Sequence, residues 1–539
     1  MVIIFIKDVF YLYFKNKHIA LLKRFWPIAY DKNYSNENIH NFYTQIGPID
    51  AKDTNFSEID DQTAHDLGID DILSQISVCV STIGDQILYH MLRTPKTSVK
   101  DLEARNNIIN TFSTDEDIRS NLQYEISRIG NLKQGNLLSL FNTKNKINKI
   151  KLISYCLLSL FSIVLAISLF FTDSTLIPFI FWAFMTNGIN MRLSSDYIEE
   201  LNACEHFRRL LKSAEKISSI KETDCKELND IISDIQKGYS KVKDFKLLTF
   251  FLVPLDWGVL IEFINSVFFC KLISYQLILD KIKSNRETLI DLYYNIGKLD
   301  ALISVASYRE RIQYYCEPNF TSKNNYLNIE NVIHPLIIDG VANSIEIDNI
   351  GVVITGSNMS GKSTFMRTLA SNILLAQTFY TPLCEKYTAS IFNIMSSMSI
   401  SDDINQSKSY YLSECEAILN ILKNSNRSIP TFCIIDEIFK GTNPTERIPA
   451  SKEILKYLSN NNATVVVATH DLEIADNNYL LKYFSESVDE EVGLTFDYTL
   501  KDGICSAGNA IKLLKFLQYP DIITENALKT IENKGNFSS

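Results

Sequence analysis

Lys362 and Ser363 close the run Gly356-Ser357-Asn358-Met359-Ser360-Gly361-Lys362-Ser363-Thr364. This spacing suits one chemistry. Glycines let backbone N–H groups curl round phosphate oxygens, a lysine ammonium meets the β- and γ-phosphates, and a serine hydroxyl ligates magnesium. The ligand expected here is ATP with Mg2+, cradled by Gly356 through Thr364. A second constellation follows the apolar run Thr431–Ile435, which delivers Asp436 and Glu437. Asp436 is expected to hold magnesium, directly or through water, and Glu437 to polarise the attacking water, because phosphoryl transfer depends on positioning and charge stabilisation. A third run, Thr464–Ala468, ends in Thr469-His470-Asp471. His470 is expected on the same edge as the other two groups, where it would sense the γ-phosphate. Lys362, Glu437 and His470 thus form a candidate catalytic set for ATP hydrolysis, with Ser363 and Asp436 as metal ligands.

These groups need strands to present them. Gly351–Thr355 reads as a buried strand running into the glycine loop, and the pattern through Gln377 reads as a helix whose N-terminus favours anions. From Val332 onward short β-rich runs alternate with helices, the mark of a parallel sheet with crossover helices whose ligands sit at the carboxyl ends of strands. Before residue 320 the pattern is helical, with apolar residues at three and four over Ile72–Leu92, Leu102–Phe112, Ile118–Ile129, Tyr197–Ile217 and Tyr275–Tyr308. The expected organisation is an N-terminal helical segment over 1–59, a helical core over 60–320 and an α/β ATPase domain over 321–539.

One stretch departs from soluble-protein statistics. Leu152–Phe171 carries no charge, and after Thr172-Asp173-Ser174-Thr175 a second apolar run continues from Leu176 to Ile189. Twenty helical residues rise about 30 Å, the thickness of a bilayer core. Lys144, Lys146, Lys149 and Lys151 precede the first run and Arg192 follows the second, an asymmetry that fits a membrane hairpin with both ends cytoplasmic. A hairpin buried in a large core is the competing reading. Leu247–Phe269 is also apolar but contains Asp256 and Glu262, which are costly in hydrocarbon, so it is read as a core helix of the soluble part.

Composition bounds the rest. With 539 residues and 46% apolar content the chain should form two or three domains. A formal charge of -10 means that DNA binding needs a local basic surface. Ten cysteines without a C-x-x-C pair match neither a zinc cluster nor a disulfide framework and read as reduced thiols. Met1–Trp26 lacks the apolar core and small cleavage-site residues of a signal peptide and reads as a first helix.

The motifs together resemble the MutS family. Thr355-Gly356-Ser357-Asn358-Met359-Ser360-Gly361-Lys362-Ser363-Thr364 is similar to its Thr-Gly-Pro-Asn-Met-Gly-Gly-Lys-Ser-Thr, Asp436 through Thr442 to its Asp-Glu-x-x-x-Gly-Thr, and Ala468-Thr469-His470 to its Ala-Thr-His. Thr82-Ile83-Gly84 through Leu92, with Pro95, Leu102, Arg105 and Arg119, resembles the opening of the family's helical core, and Leu299–Tyr315 the helix entering its ATPase. The resemblance implies an ABC-type ATPase with C-terminal dimerisation helices and two sites at a homodimer interface. It also implies a clamp on double-stranded DNA of the mismatch-repair kind. Ser407-Lys408-Ser409-Tyr410 is similar to the signature segment Gly-Arg-Ser-Thr, which makes Ser409 the residue expected to reach the γ-phosphate of the other subunit. No aromatic stands at Gly340-Val341, where the family stacks adenine. The 55 residues before Phe56 are too few for the family's mismatch-reading domain, so a short form is expected. The full expectation is a helical core, a hairpin in contact with membrane lipid that anchors the chain to the cytoplasmic membrane, and a dimeric cytoplasmic ATPase. The other reading is a membrane-associated ATPase acting on a partner other than DNA.

Overall fold

The computed structural model describes residues 2–27, 39–47, 56–131, 137–141, 148–195, 197–249, 258–357, 359–398, 410–425, 428–474, 479–489, 493–504 and 510–535. It is a mixed helix-and-sheet protein with two compact units. One comprises 1–49, 76–90 and 104–311, the other 50–75, 91–103 and 312–539.

In the described residues the first unit is helical, and its spine is the 26-residue helix Arg286–Arg311, buried along most of its length. Two helices read as continuous from the sequence are broken. The first break, at 77–81, separates Ile69–Ile76 from Thr82–Arg93. The spine satisfies the freed backbone there: Asp300 accepts from the N–H groups of Val80 and Ser81 at 3.0 Å, and Ser304 Oγ accepts from Val78 N–H at 2.6 Å. The second break is Asn285, between Cys270–Ser284 and the spine. Its N–H bonds the carbonyls of Lys281 and Ile282, closing the first helix.

The apolar hairpin is two 20-residue helices, Lys149–Ser168 and Leu176–Ser195. Among the described residues one helix, Lys149–Ser168, is long and apolar enough to cross a membrane by length and composition, and only 11% of its apolar window is buried. Leu157, Leu160, Val164, Ile177, Phe181 and Phe184 are all exposed. A hairpin buried within a core does not describe these helices. Leu247–Phe269 is likewise not one core helix: Phe245–Leu248 and Gly258–Phe268 are separate helices, and the second packs on the hairpin with Phe263 exposed. Asp256 lies outside the described residues.

The second unit holds two sheets. Strands β1 (Asn319–Phe320), β2 (Tyr326–Val332), β3 (Asn343–Asp348) and β5 (Lys386–Ala389) form one sheet in the order β1-β5-β2-β3. The other contains β4 (Gly351–Thr355), β6 (Asn393–Ser397), β7 (Thr431–Asp436), β8 (Ala463–Ala468), β9 (Tyr479–Asp489) and β10 (Gly493–Asp502), in the order β10-β9-β4-β8-β7-β6. Five of its strands are parallel and β10 is an antiparallel edge. Gly-Val-Val-Ile-Thr and Ala-Thr-Val-Val-Val-Ala are buried at every position, as central parallel strands require. Helices Tyr410–Asn424 and Pro444–Asn460 cover one face, where Ile418, Ile421, Leu455 and Leu458 meet Val353, Ile435, Val465 and Val467. The far edge strand β6 is blunted by helix Asp61–Leu67, whose Asp66 accepts from Ser396 Oγ at 2.6 Å and Met398 N–H at 3.0 Å.

Gly297 of the spine tests the helical packing. A Cβ there would lie 2.4 Å from Ile87 Cγ1 and 2.9 Å from the Ile83 carbonyl oxygen. Gly297→Ala should therefore cost about 1–3 kcal/mol by overpacking, more than the roughly 1 kcal/mol gained in helix propensity. A lowered urea midpoint is the expected reading, and an unchanged or raised one would refute the close approach.

Candidate active site

Strand register aligns the site. Ile354 of β4 pairs with Ala468 of β8, and Ala468 pairs with Asp436 of β7, so three carboxyl ends finish in one row. Thr469 N–H donates to the Ile354 carbonyl at 3.1 Å and Glu437 N–H to the Ala468 carbonyl at 2.9 Å, carrying the row one step past the strands. Gly356, Glu437 and His470 leave the sheet together.

The glycine loop is built by backbone geometry. Gly356 has φ +140, and a Cβ there would lie 2.6 Å from the Phe484 carbonyl oxygen. Gly361 has φ +108, with Tyr498 Cδ1 at 3.2 Å from any Cβ. Ser360 Oγ donates to the Ser357 carbonyl at 2.8 Å, and Met359 turns out to solvent. Asn358 lies outside the described residues. Helix Lys362–Phe379 starts directly at the lysine, with Thr364 in its first turn. Lys362 Nζ donates to the carbonyls of Gly356 at 2.8 Å and Ser357 at 2.7 Å. Burial pulls its ammonium below the ordinary lysine range, while the Asp436 and Glu437 carboxylates oppose that pull.

Ser363 Oγ donates to Asp436 Oδ2 at 2.6 Å, bringing together the two candidate metal ligands from elements 73 residues apart. His470 Nε2 lies 3.3 Å from Glu437 Oε1, and Lys440 Nζ 3.8 Å from Glu437 Oε2. Glu437 has φ +60, an uncommon conformation for a residue with a side chain and one that collects at functional sites. Ser409, with Ser407 and Lys408, lies outside the described residues.

The structure adds further contacts around these groups. Arg447 forms a fork onto Asp471, with Nε to Oδ2 at 2.8 Å and Nη2 to Oδ1 at 3.0 Å, tying helix Pro444–Asn460 to the residue after His470. Buried Glu414 accepts from Lys440 N–H at 3.1 Å and Gly441 N–H at 3.4 Å, so the helix that follows 407–409 grips the loop after Glu437. Ser357 donates to Glu486 of β9. Beside the loop lies a cavity of about 450 Å³ lined by His334, Val341, Gly361, Phe365, Phe484 and Tyr498. Tyr498 stands in a bulge of β10 with φ +51, and Asn343 holds the bulge by donating to the Tyr498 carbonyl and accepting from Leu500 N–H. Burial pulls His334 down to about 4, so its ring is neutral near pH 7 and accepts from Leu336 N–H at Nδ1.

The fold and site define an α/β domain with a phosphate-loop motif, a carboxylate pair and a histidine on one sheet edge. Residues 352–534 match the family model of MutS domain V. It is similar to the DNA mismatch repair protein MutS of Thermotoga maritima, 28% identical over 273 residues that cover 48% of this chain and 33% of the relative. The namesake of Staphylococcus haemolyticus is 30% identical, with 47% of this chain and 30% of the relative covered. That of Clostridioides difficile is 29% identical, with 48% and 29% covered. The matched region spans about a third of the length of these curated relatives.

Glu414→Ala would strand the Lys440 and Gly441 amides. Hydrogen exchange of the 438–442 segment should accelerate, because a buried donor without a partner costs about 1–3 kcal/mol. Unaltered protection there would show that Glu414 does not hold the loop.

Proposed function

We propose that this chain is a magnesium-dependent ATPase of the MutS kind, in which ATP binding and hydrolysis switch a homodimer on double-stranded DNA. Residues 152–191 anchor it to the cytoplasmic membrane, with the ATPase domain in the cytoplasm. The observation that carries the ATPase reading is the Ser363–Asp436 hydrogen bond beside Lys362, Glu437 and His470. Two oxygen donors converge there, the ligand chemistry that magnesium takes. Magnesium, when bound, would neutralise phosphate charge. Lys362 would exchange its two loop carbonyls for phosphate oxygens, and the N-terminal amides of its helix would add donors. Glu437 would orient the attacking water, with His470 facing it across 3.3 Å. Ser409 of a second subunit would complete the γ-phosphate contacts.

The cavity beside Gly361 supports a place for the base, with Tyr498 supplying the aromatic face that Gly340-Val341 lacks. The DNA reading is supported by the relatives, which are named DNA mismatch repair proteins. The membrane reading is supported by the exposed apolar hairpin and its basic end at Lys149, Lys151 and Arg192. A net charge of -10 together with that hairpin favours, as a second reading, an ATPase acting on a membrane partner other than DNA.

ATP turnover by the purified full chain, with and without duplex DNA at physiological salt, separates the two readings: stimulation supports the DNA switch and its absence the second. Lys362→Ala should abolish ATP binding, and Glu437→Gln should retain binding but lose turnover by about a hundredfold or more. Parental turnover in Glu437→Gln would remove Glu437 from its role. Separately, Tyr498→Ala should weaken binding of a fluorescent ATP analogue about tenfold, roughly 1.4 kcal/mol, while Tyr498→Phe should leave it unchanged. Equal affinity in both variants would place the base elsewhere.

A further inference from the structure

The helix Gly258–Phe268 carries polar residues in an apolar sequence, and hydrogen bonds tie it to the hairpin. Trp182 Nε1 donates to Ser162 Oγ at 2.8 Å, and Ser162 Oγ donates in turn to the Val267 carbonyl at 2.8 Å. Asn190 Nδ2 donates to the Asn265 carbonyl at 2.8 Å. Ser266 Oγ donates to Asn187 Oδ1 at 2.8 Å. Ser162, Asn190 and Asn265 are buried by this packing, and the Phe269 ring stacks on Tyr155 below it at 6.2 Å. Leu157, Leu160, Val164, Phe181, Phe184 and Phe263 face outward and are exposed.

This polarity is the reverse of a soluble three-helix bundle. Water would hydrate serine, asparagine and tryptophan N–H groups at no cost, and burying them while leaving phenylalanine and leucine outside would forfeit apolar burial. In hydrocarbon the same arrangement is favoured, since lipid tails accept apolar side chains and unpaired polar groups are costly there. Depth gives an independent argument. Ser162 stands about 20 Å along its helix from Lys149 by helical rise, so a segment hydrogen-bonded to it shares the depth of the hairpin's middle.

Resting on the membrane reading of the hairpin, we propose that Gly258–Phe268 is a third membrane-embedded helix. It enters the bilayer beside the hairpin, joins it through the Ser162, Asn187 and Asn190 seam, and turns its Phe263 side to lipid acyl chains. The anchor is then a three-helix unit contributed by sequence segments about 70 residues apart. Glu262, which argues against insertion from the sequence, stands within this helix, and Asp256 lies outside the described residues.

The test is carbene photolabelling of the full wild-type chain in phosphatidylcholine–phosphatidylglycerol vesicles, read by peptide mass spectrometry. A bilayer-partitioned reagent should label the peptides holding Leu157–Val164, Phe181–Phe184 and Phe263, and replacing it with a water-soluble reagent should abolish labelling of all three. If the hairpin peptides are labelled from the bilayer while the Phe263 peptide is labelled only from water, this proposal fails and the hairpin anchor stands. If none is labelled from the bilayer and alkaline carbonate releases the chain, the membrane reading fails and this proposal with it.

Discussion

One row of paired residues, Ile354, Ala468 and Asp436, sets where the chemistry of this protein can occur. Parallel pairing makes each strand's carboxyl end a launching point, and the row brings three launching points to the same height. The Ser363–Asp436 hydrogen bond spans from the helix after the first strand to the end of the third. A slip of one residue in β7 would turn Asp436 to the other face and remove the oxygen pair.

Around that row, contacts from more distant elements hold the loops. The Arg447–Asp471 fork positions the turn that carries His470, and Glu414 clamps the loop that follows Glu437. Both are charged groups acting on backbone or on a partner charge at partly buried positions, where geometry counts for more than at an open surface. Glu414 lies in the second turn of the helix Tyr410–Asn424.

The helical unit obeys a different constraint. Its spine is organised by donors that the broken helix near residue 79 cannot satisfy itself, and Asp300 and Ser304 meet them. Its hairpin shows polar atoms paired inward and aromatic side chains turned outward. In this the hairpin differs from the rest of the described helical unit, whose apolar side chains are largely buried.

The identities and spacing of Gly356 to Thr364, Asp436-Glu437 and Thr469-His470 were legible in the sequence, because phosphate chemistry restricts which residues can follow a strand. So were the mixed helix-and-sheet class and the uncharged hairpin. Sequence periodicity carried the helices too far: through 77–81, where the partners of the break lie on the distant spine, and through Asn285, whose own N–H closes the preceding helix on the carbonyls of Lys281 and Ile282. Tyr498 was invisible for a related reason: its place beside Gly361 depends on a bulge in β10 and on Asn343 from the other sheet. Local propensity and motif chemistry are written in neighbouring residues. Register, bulges and the pairing of buried polar atoms depend on residues 100 or more positions away, as between Asn343 and Tyr498, and only the folded chain brings them together.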